Sequence, residues 1–453
     1  MGTKFDYEYI VIGSGPAGSA AALTLAKSKK KVALVEGKFF GGSNLNTRDI
    51  PYSITLDFAH TYRKLLSLPE FKNQDPSFSL PATVSRQLDA VLKINAEQQK
   101  LYEKSGITRI RGHANFLDQN TIAIGNKQFT AANFILATGS ELKILEIAGT
   151  DKVNYITPEN ALKIRRLPKV AVIVGGGPTG CEIAEYYAEL GIKVIILEMS
   201  SRLLPHEDEE VGNTITEYFE KELKITVLPN SKVVALEQNT AVKRVIFRNA
   251  KSEKMIRTDC VVLATGSTPI LDYGLENAGV KYKNSGITTD KYFQTSAKNI
   301  YAVGDCLGLE SSTERAEYEG HLVALNLINK TKILPNYKGF IRHVDTFPEV
   351  AVIGLSEDDL TKRDRKYNKA IIPLSELTAS KIHNFNYGFI KLLADKSNHL
   401  LGAVIVAPNA KLIATKLAIP LRHNLTITEI ATTPHFINDY SYALKLSTRK
   451  LIS

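Results

Sequence analysis

Two glycine-rich runs carry the residue types that bind phosphate groups. Residues 13–18 read Gly-Ser-Gly-Pro-Ala-Gly, and residues 175–180 read Gly-Gly-Gly-Pro-Thr-Gly. In such a run the first glycine permits a tight turn, the second lets a pyrophosphate approach the backbone, and the third lets a helix and a strand pack closely. The following helix presents N–H groups and a partial positive charge to the phosphates. Each run therefore predicts a site for one dinucleotide.

A carboxylate completes each of these two sites. Glu36 and Glu198 each lie 18 residues after the last glycine of their run. A glutamate at that place accepts hydrogen bonds from both hydroxyls of an adenosine ribose. Because a carboxylate repels a 2′-phosphate, Glu198 favours NADH over NADPH. Arg202 could instead meet that phosphate, or it could pair with Glu209 or face solvent.

The segments around the two runs follow the same order of strand, helix and strand. We expect these elements at residues 9–12, 19–27 and 31–35 for the first run, and at residues 170–174, 182–190 and 193–197 for the second. A single Gly-x-Gly-x-x-Gly is weak evidence. Two copies in this full context predict two dinucleotide-binding modules and an α/β fold.

Shorter motifs extend the pattern into the rest of the chain. Ala-Thr-Gly follows an apolar strand at residues 137–139 and again at 264–266, and a run at residues 295–305 ends in Gly304-Asp305. Residues 349–357 read Glu-Val-Ala-Val-Ile-Gly-Leu-Ser-Glu. With the two modules, the chain is similar over essentially its whole length to the class I pyridine nucleotide-disulfide oxidoreductases. This is the family of dihydrolipoamide dehydrogenase, glutathione reductase and mercuric reductase.

The resemblance implies an α/β fold with two Rossmann-like dinucleotide-binding domains and a C-terminal α+β dimerisation domain. The implied boundaries are residues 1–150 and 275–335 for the FAD-binding domain, 151–274 for the NAD(H)-binding domain and 336–453 for the dimerisation domain. The implied cofactors are FAD and NADH, with NADPH less favoured, and the implied assembly is a homodimer. We expect alternating antiparallel strands at 388–393 and 401–403, and an amphipathic helix at 410–422.

The resemblance also assigns the residues that hold each cofactor. For FAD they are Gly13, Gly15, Pro16, Ala17, Gly18, Glu36, Gly42, Ser43, Ala114, Thr138, Gly139, Gly304 and Asp305. For NAD they are Gly175, Gly177, Gly180, Glu182, Glu198 and Gly266. Asp305 would hold a ribityl hydroxyl of the flavin, or else serve as an ordinary turn residue at a strand end.

Residues 41–53 depart from the family's redox-active pattern. That pattern is Gly-Gly-x-Cys, four residues, Cys-x-Pro-x-Lys, and an ungapped match places Asn44 and Asp49 at the cysteines and Ser53 at the lysine. Disulfide exchange requires a thiolate, so an active site without cysteine is expected. Asn44 could hydrogen-bond an acceptor carbonyl and Asp49 could supply a proton. Helix-start capping and solvent contact are the alternative roles for both.

The family's acid–base pair is replaced as well. The family segment reads His-x-His-Pro-Thr-x-x-Glu, and the ungapped match over residues 429–445 places Ile437 at the catalytic His and Tyr442 at its Glu partner. His435 takes the first His position. A shift by two residues would make His435 the catalytic one, but it would break the match on both flanks.

Two residues of the second module bear on how a nicotinamide is handled. Glu182 matches the glutamate that pairs with the missing lysine near flavin N5. Arg48 could replace that lysine, or it could simply begin a surface helix. Pro178 stands where the family often has an aromatic side chain that swings over the flavin, so we expect a less shielded flavin face.

Composition limits the class of protein. The chain has 453 residues, of which 44% are hydrophobic and 23% charged, as in ordinary globular proteins of two or three domains. No apolar run could span a bilayer and the first strand leaves no room for a signal peptide, so we expect a cytoplasmic protein without membrane insertion. The net charge is +10. The basic clusters at 27–31 and 362–366 are not interleaved with aromatic residues, so we expect no nucleic-acid partner.

The cysteines are far apart in sequence. Cys181, Cys260 and Cys306 each lie in an apolar or glycine-rich context, and no metal-ligand spacing is present. We therefore expect buried, inert thiols and no metal site.

These observations favour an FAD-dependent NADH oxidoreductase that passes electrons from flavin directly to a small-molecule acceptor. Candidate acceptors are a quinone, a dye, oxygen or a metal ion, and no disulfide reductase activity is expected. The alternatives are a degenerate FAD- and NAD-binding member with a structural or regulatory role, a flavin transhydrogenase, and a thiol enzyme that uses one of the three cysteines. Retention of Glu198 argues against a pure scaffold and mildly against a transhydrogenase.

Overall fold

The computed structural model describes residues 5–71, 78–239, 242–249, 252–309, 312–329 and 331–452. The strands are β1 Tyr7–Ile12, β2 Val32–Glu36, β3 Thr108–Arg111, β4 Ala114–Phe116, β5 Thr121–Ile124, β6 Lys127–Leu136, β7 Ser140–Leu142, β8 Val170–Val174, β9 Lys193–Leu197, β10 Thr226–Leu228, β11 Ser231–Asn239, β12 Val242–Asn249, β13 Ser252–Thr258, β14 Cys260–Leu263, β15 Ser267–Pro269, β16 Tyr282–Lys283, β17 Gly286–Ile287, β18 Ile300–Ala302, β19 Ile341–Val344, β20 Glu349–Gly354, β21 Asn368–Pro373, β22 Phe389–Ala394 and β23 Leu400–Ala407.

The α-helices are α1 Pro16–Lys27, α2 Gly42–Asn46, α3 Asp49–Ser67, α4 Leu80–Lys104, α5 Pro158–Ala161, α6 Pro178–Glu189, α7 Glu209–Lys221, α8 Thr313–Ile328, α9 Glu357–Lys362, α10 Thr378–His383, α11 Ala410–Arg422, α12 Ile427–Thr432 and α13 Tyr442–Ile452. Short 3₁₀ turns lie at Pro69–Phe71, Thr150–Lys152, Gly304–Leu307 and Leu374–Glu376. No helix among the described residues is long and apolar enough to cross a membrane.

The chain divides into two compact units. Unit 1 comprises Met1–Ile54, Pro81–Lys143 and Ser267–Tyr337. Its main sheet has the strand order β3-β2-β1-β6-β5-β4, with β18 also paired to β6. The β1 neighbours β2 and β6 are parallel to it, and β18 is parallel to β6.

The central strand of unit 1 is buried on both faces. Tyr9 and Val11 of β1 pack into one apolar core, whereas Ile10 and Ile12 pack into another. Successive side chains of a strand point to opposite faces, so a strand covered on both sides reads as a continuous apolar run. This arrangement confirms the predicted α/β architecture of the first module.

Unit 2 comprises Thr55–Leu80, Ile144–Gly266 and Lys338–Ser453. Its parallel sheet has the order β10-β9-β8-β14, and two antiparallel sheets have the orders β11-β12-β13 and β19-β20-β23-β22-β21. The last of these packs against α11 and α13, and Ile390, Ile405 and Ile413 lie together in that core. The predicted domain boundaries stay predictions.

Several predicted elements are found at the predicted residues. The strands at 170–174 and 193–197 and the helix at 410–422 have the expected bounds, and β22 pairs antiparallel with β23. The helices α1 and α6 begin earlier than predicted, at Pro16 and Pro178. Proline suits the first turn of a helix because its missing N–H would have no partner there, so the start of each helix lies inside the glycine run.

Candidate functional site

The first glycine run forms the turn between β1 and α1. A Cβ added at Gly13 would clash with the carbonyl oxygen of Ala137, and one added at Gly18 would clash with the carbonyl oxygen of Gly13. A Cβ at Gly15 would meet only the Cα of Gly42, at 4.0 Å. The protein's own packing therefore requires the first and third glycines, and the second leaves the space that a pyrophosphate needs.

The second run repeats this arrangement between β8 and α6. A Cβ at Gly175 would clash with the carbonyl oxygen of Ala264, and one at Gly180 would clash with that of Gly175. No atom of the described residues lies within 4 Å of a Cβ placed at Gly177, and the same holds for Gly266 after β14. The open position is again the middle glycine of the run.

The helix that follows each run is open at its N-terminus. Gly15 and Gly177 are the N-cap residues of α1 and α6, and no side chain caps either helix. The first N–H groups of a helix have no partner within the helix. These N-termini therefore fit the phosphates of a bound dinucleotide.

The carboxylate of Glu36 is held by the loop beside it. Its Oε2 accepts hydrogen bonds from the backbone N–H of Ser14 at 3.0 Å and from the Ser14 hydroxyl at 2.6 Å, and its Oε1 accepts from the N–H of Lys38 at 2.8 Å. A carboxylate oxygen has more than one acceptor site, so capacity for ribose hydroxyls remains. Glu36 is thus oriented before any ligand binds.

Glu198 repeats this arrangement in unit 2. Its Oε2 accepts from the N–H of Gly176 at 2.6 Å, and its Oε1 accepts from the N–H of Ser200 at 2.6 Å. Glu198 is buried, with 5% of its surface exposed. In both modules the acid is therefore held by the second residue of the glycine run and by the residue two positions after the acid.

The guanidinium of Arg202 is tied to its own loop. Its Nη2 donates to the carbonyl oxygens of Pro205, at 3.4 Å, and Glu207, at 2.9 Å. Its Nε is buried without a hydrogen-bond partner. The partners of this arginine are backbone carbonyls and not Glu209, the partner considered from the sequence.

The other residues assigned to FAD lie around the carboxyl ends of neighbouring parallel strands in unit 1. Thr138 and Gly139 follow β6, and Gly304 and Asp305 follow β18, which pairs with β6. The Ser140 hydroxyl donates to Asp305 Oδ2 at 3.0 Å. Ligands of open α/β sheets bind at such strand ends.

The remaining positions assigned to FAD lie on adjoining segments. Gly42 and Ser43 begin α2, and a Cβ at Gly42 would lie 2.6 Å from the Cα of Gly15. A Cβ at Gly304 would lie 3.3 Å from the Cβ of Ala17. Ala114 is the first residue of β4 and is buried in the apolar core.

Asn44 and Asp49 are joined to each other and to a residue that sequence analysis missed. Asn44 Nδ2 donates to Asp49 Oδ2 at 2.8 Å and to Thr313 Oγ1 at 2.8 Å, and the Thr313 hydroxyl donates to Asp49 Oδ2. Thr313 is the first residue of α8, far along the chain, so no sequence spacing could have revealed it. Asn44 is half-buried and Asp49 is exposed.

Glu182 and Arg48 each accept a hydrogen bond from a backbone N–H. Glu182 Oε1 accepts from the N–H of Asp345 at 3.0 Å. The carbonyl of Arg48 accepts the N–H of Tyr52 at 2.8 Å, immediately before α3 begins. Arg48 therefore starts a helix, which is one of the two roles expected for it.

The segment predicted to match the family's acid–base residues is mostly exposed. Ile437 has 58% of its surface exposed, and Tyr442 is the first residue of α13. A ring nitrogen of His435 lies 3.3 Å from the carbonyl oxygen of Ile430. Burial lowers the pKa of His435 below its usual value.

The three cysteines are free and buried, as predicted. Burial raises the pKa of the Cys306 thiol to about 12 and that of Cys260 to about 11, and it raises the pKa of Cys181 well above its usual value. The thiolate is the reactive form of cysteine. None of these thiols is therefore an effective nucleophile at neutral pH.

Comparison with known proteins agrees with this arrangement. Residues 7–320 match the family described as pyridine nucleotide-disulphide oxidoreductase, and residues 342–446 match the dimerisation domain of the same family. The chain belongs to this family. Members of the pyridine nucleotide-disulphide oxidoreductase family are oxidoreductases that use FAD and NAD(P)H, and the C-terminal match supports a homodimer.

Two relatives in sequence illustrate the family. The chain is 31% identical to a dihydrolipoyl dehydrogenase from Mycobacterium leprae over 97% of both chains. It is 29% identical to a mercuric reductase from Bacillus cereus over 95% of this chain and 69% of the relative. Both relatives are oxidoreductases.

Two solved structures share the fold. LpdA from Mycobacterium tuberculosis superimposes with a TM-score of 0.89 at 23% identity, covering 98% of this chain and 100% of LpdA. The Cu(II) complex of the HOCl-induced flavoprotein disulfide reductase RclA from Escherichia coli gives 0.88 at 22% identity, covering 98% and 99%. These likenesses confirm the architecture of a pyridine nucleotide-disulphide oxidoreductase.

Proposed function

We propose that this protein is an FAD-dependent NADH oxidoreductase that passes electrons from flavin directly to a small-molecule acceptor other than a disulfide. The observation that carries the proposal is the hydrogen bond between Asn44 and Asp49. These residues occupy the positions that match the redox cysteines of the family. An amide and a carboxylate can bind an acceptor and move a proton, but they cannot carry electrons as a thiol pair does.

Each glycine run, together with its glutamate, would bind one dinucleotide. FAD is assigned to the glycine run and Glu36 of unit 1, and a nicotinamide dinucleotide to the run and Glu198 of unit 2. Bound FAD would supply the redox chemistry, since it takes up hydride from the nicotinamide and releases two electrons. The chain's own part is to hold the phosphates at helix N-termini and to orient the ribose hydroxyls.

Selection of NADH over NADPH is supported by two side chains. Glu198 presents a buried carboxylate whose charge disfavours a 2′-phosphate. Arg202, the cationic side chain considered for that phosphate, donates its Nη2 to the carbonyls of Pro205 and Glu207. A phosphate would have to compete with these two carbonyls for Nη2, which disfavours a bidentate contact with this arginine.

An electron acceptor would bind at the hydrogen-bonded network of Asn44, Asp49 and Thr313. Both N–H groups of the Asn44 amide are already donated within the network. An acceptor carbonyl would therefore have to replace one of these contacts. Asp49 is exposed and accepts from both partners, so it is the group best placed to relay a proton from solvent.

Quinone reduction illustrates the balance of the reaction. NADH supplies a hydride, which carries two electrons and one proton equivalent. Solvent supplies the second proton through Asp49, and quinol and NAD⁺ are the products. A one-electron acceptor such as ferricyanide needs no proton, and this difference separates proton transfer from electron transfer in experiments.

Two measurements test the proposal. Anaerobic mixing of the FAD-loaded protein with NADH should bleach the flavin absorbance, and steady-state assays should show turnover with at least one of a quinone, ferricyanide, oxygen, Cu(II) or Hg(II). The metal ions are included because one relative is named mercuric reductase and one structure with the same fold is a Cu(II) complex. Lipoamide and oxidised glutathione should give no rate.

Each negative result would have a distinct meaning. Flavin that binds but never bleaches would contradict the proposal and favour a structural or regulatory role. Turnover of lipoamide would contradict the direct route from flavin to acceptor. Hydride exchange between NADH and NADP without any other acceptor would favour a transhydrogenase.

A further inference from the structure

A buried group of metal-ligating side chains lies in unit 2, apart from the glycine runs. His60 belongs to α3, and Glu185 and Glu189 lie one turn apart on α6, so the two glutamates share a face of that helix. Each of the three offers one ligand atom, and these atoms all lie within 4.8 Å of one another. We call these three residues the His60 cluster.

Hydrogen bonding does not explain why these polar atoms converge. His60 Nε2 lies 3.6 Å from Glu185 Oε1, which is longer than a hydrogen bond. His60 Nε2 and both carboxylate oxygens of Glu189 are buried and have no hydrogen-bond partner among the described residues. A buried carboxylate without partners is unfavourable, so a ligand that satisfies Glu189 would remove this cost.

A second cluster shows how the same protein satisfies such a group. Asp208, Glu210 and Glu357 also place three ligand atoms within 4.8 Å of one another. The ammonium of Lys391 lies among them, at 2.7, 3.2 and 2.6 Å respectively. A cation supplied by the chain thus occupies the centre of this cluster.

The His60 cluster has no such internal ammonium or guanidinium within the described residues. The two glutamates have one ion-pair contact among the described residues, between His60 Nε2 and Glu185 Oε1 at 3.6 Å. The nearby Arg63 makes its ion pair with Glu222, at 3.9 Å, and its guanidinium lies over the ring of Tyr218. Among the described residues, Glu185 therefore has the N–H of Phe347 and the nearby imidazole, whereas the Glu189 carboxylate has no hydrogen-bond partner.

We propose that the His60 cluster binds one divalent transition-metal ion, with Zn²⁺ as the best match, through His60 Nε2 and one carboxylate oxygen each of Glu185 and Glu189. Bonds of about 2.1 Å to two ligand atoms 3.6 Å apart enclose an angle of about 118°, close to the tetrahedral arrangement of zinc. One imidazole with two carboxylates suits a borderline ion such as Zn²⁺ better than Ca²⁺, which takes only oxygen ligands, or Cu(I), which prefers sulfur.

The surroundings support this role. The backbone N–H of Phe347 donates to both oxygens of Glu185 at 2.9 Å, which orients that carboxylate as outer contacts orient metal ligands. The His60 side chain is 24% exposed, so an ion can reach the cluster from solvent. Three protein ligands leave a coordination position open for water.

Cobalt and zinc titrations of the chelator-treated, FAD-loaded full chain test the proposal. Co²⁺ should give visible d–d absorption that saturates at one ion per chain, and Zn²⁺ should displace it. The variants Glu189→Gln and His60→Gln should weaken Co²⁺ affinity by at least about tenfold. Glu210→Gln, which makes the same charge change in the cluster already filled by Lys391, should bind Co²⁺ as the parent chain does.

Several results would overturn the metal site. Absence of saturable Co²⁺ absorption in the parent chain would mean that a proton on His60 is all that the cluster holds, and this outcome does not depend on any variant folding. Equal Co²⁺ affinity of Glu189→Gln, His60→Gln and the parent chain would place the ion elsewhere on the surface. Circular dichroism and FAD content of each variant distinguish lost ligands from lost folding.

Discussion

Asn44 donates a hydrogen bond of 2.8 Å to Asp49, and Thr313 contacts both residues. The amide and the carboxylate are thereby held close to each other at the two positions that the sequence predicts to match the family's redox cysteines. Asp49 is the exposed member of the pair. Steady-state kinetics of an Asp49 variant can therefore test whether this carboxylate relays a proton.

The Asp49→Asn variant should separate proton transfer from electron transfer. It keeps the side-chain shape but removes the group that relays a proton. We expect kcat with a quinone to fall by roughly 10²-fold or more and kcat with ferricyanide to stay within about twofold, because only quinone reduction consumes protons. The pH dependence of both rates is the measurement.

Thr313→Val serves as the control for this variant, because it breaks the network and leaves the carboxylate in place. It should retain most of the quinone rate. Equal loss of quinone and ferricyanide rates in Asp49→Asn would contradict the relay and point to a structural role for the carboxylate.

Replacing Gly177, the middle glycine of the second run, by alanine should leave the fold stable but weaken NADH binding. Nothing lies within 4 Å of a Cβ at Gly177. We expect Gly177→Ala to leave the free energy of unfolding within about 0.5 kcal/mol and to weaken NADH binding by at least about tenfold, because the methyl group occupies the pyrophosphate space. Chemical denaturation and NADH titration are the measurements.

Gly180→Ala is the matched comparison, since its Cβ would clash with the carbonyl oxygen of Gly175. It should lose stability, and not only NADH affinity. Unchanged NADH affinity in Gly177→Ala would contradict the assignment of the second run to the nicotinamide dinucleotide.

Replacing Glu198 should weaken NADH selectively. The Glu198→Ala variant loses the acceptor that Gly176 and Ser200 orient. A lost hydrogen bond to a charged group costs about 1.5–3 kcal/mol, so we expect the KM for NADH to rise by roughly 10- to 100-fold with little change in kcat. The preference for NADH over NADPH should shrink, as steady-state assays with both nucleotides would reveal.

Glu209→Gln changes a nearby exposed glutamate and should leave both KM values unchanged. An unaltered NADH/NADPH ratio in Glu198→Ala would mean that another residue selects the nucleotide.

The cluster of Asp208, Glu210 and Glu357 around Lys391 should make the free energy of unfolding sensitive to acid. Burial alone would raise the pKa of Glu357, but hydrogen bonds from Lys391, Tyr367 and Lys369 outweigh it and lower that pKa from 4.5 to about 2. A carboxyl whose folded pKa is depressed contributes stability above its unfolded pKa. That contribution is lost as the pH falls through the folded value. Stability should therefore decline between about pH 4.5 and pH 2.

The Glu357→Gln variant should show a lower free energy of unfolding than the parent chain at pH 7 and a smaller decline over this acid range. The difference in the free energy of unfolding between the two proteins should become small near pH 2. Urea denaturation at a series of pH values measures both effects, and parallel curves for the two proteins would exclude a contribution from Glu357.

The cysteines should be silent in the folded protein. Burial raises the pKa of Cys306 to about 12 and that of Cys260 to about 11. We expect an aromatic disulfide reagent to modify none of the three thiols in the native chain at pH 8 and all three after unfolding. Rapid native labelling accompanied by loss of turnover would revive the possibility of a thiol enzyme.

Local features of the two modules could be predicted from sequence. The turn at Gly13 or Gly175 depends on a few adjacent residues, and the helix that follows starts at the proline inside the same run. The acid at the end of the next strand is placed by the regular length of the helix between them. For the same reason β8 and β9 were found with the expected bounds, and α11 was found because its amphipathic pattern is also local.

Contacts between distant segments were decided only by the tertiary structure. Neither Thr313 beside Asn44 nor His60 beside Glu185 follows from any spacing, because each pair joins elements far apart in the chain. Lys391 is fully buried although lysine is usually exposed, and only the three carboxylates folded around it explain this. The sequence alone therefore predicted two dinucleotide-binding modules of a pyridine nucleotide-disulphide oxidoreductase, because backbone turns and helix ends are local. The residues around an acceptor or a metal ion depend on how helices and strands pack, and no local pattern records that packing.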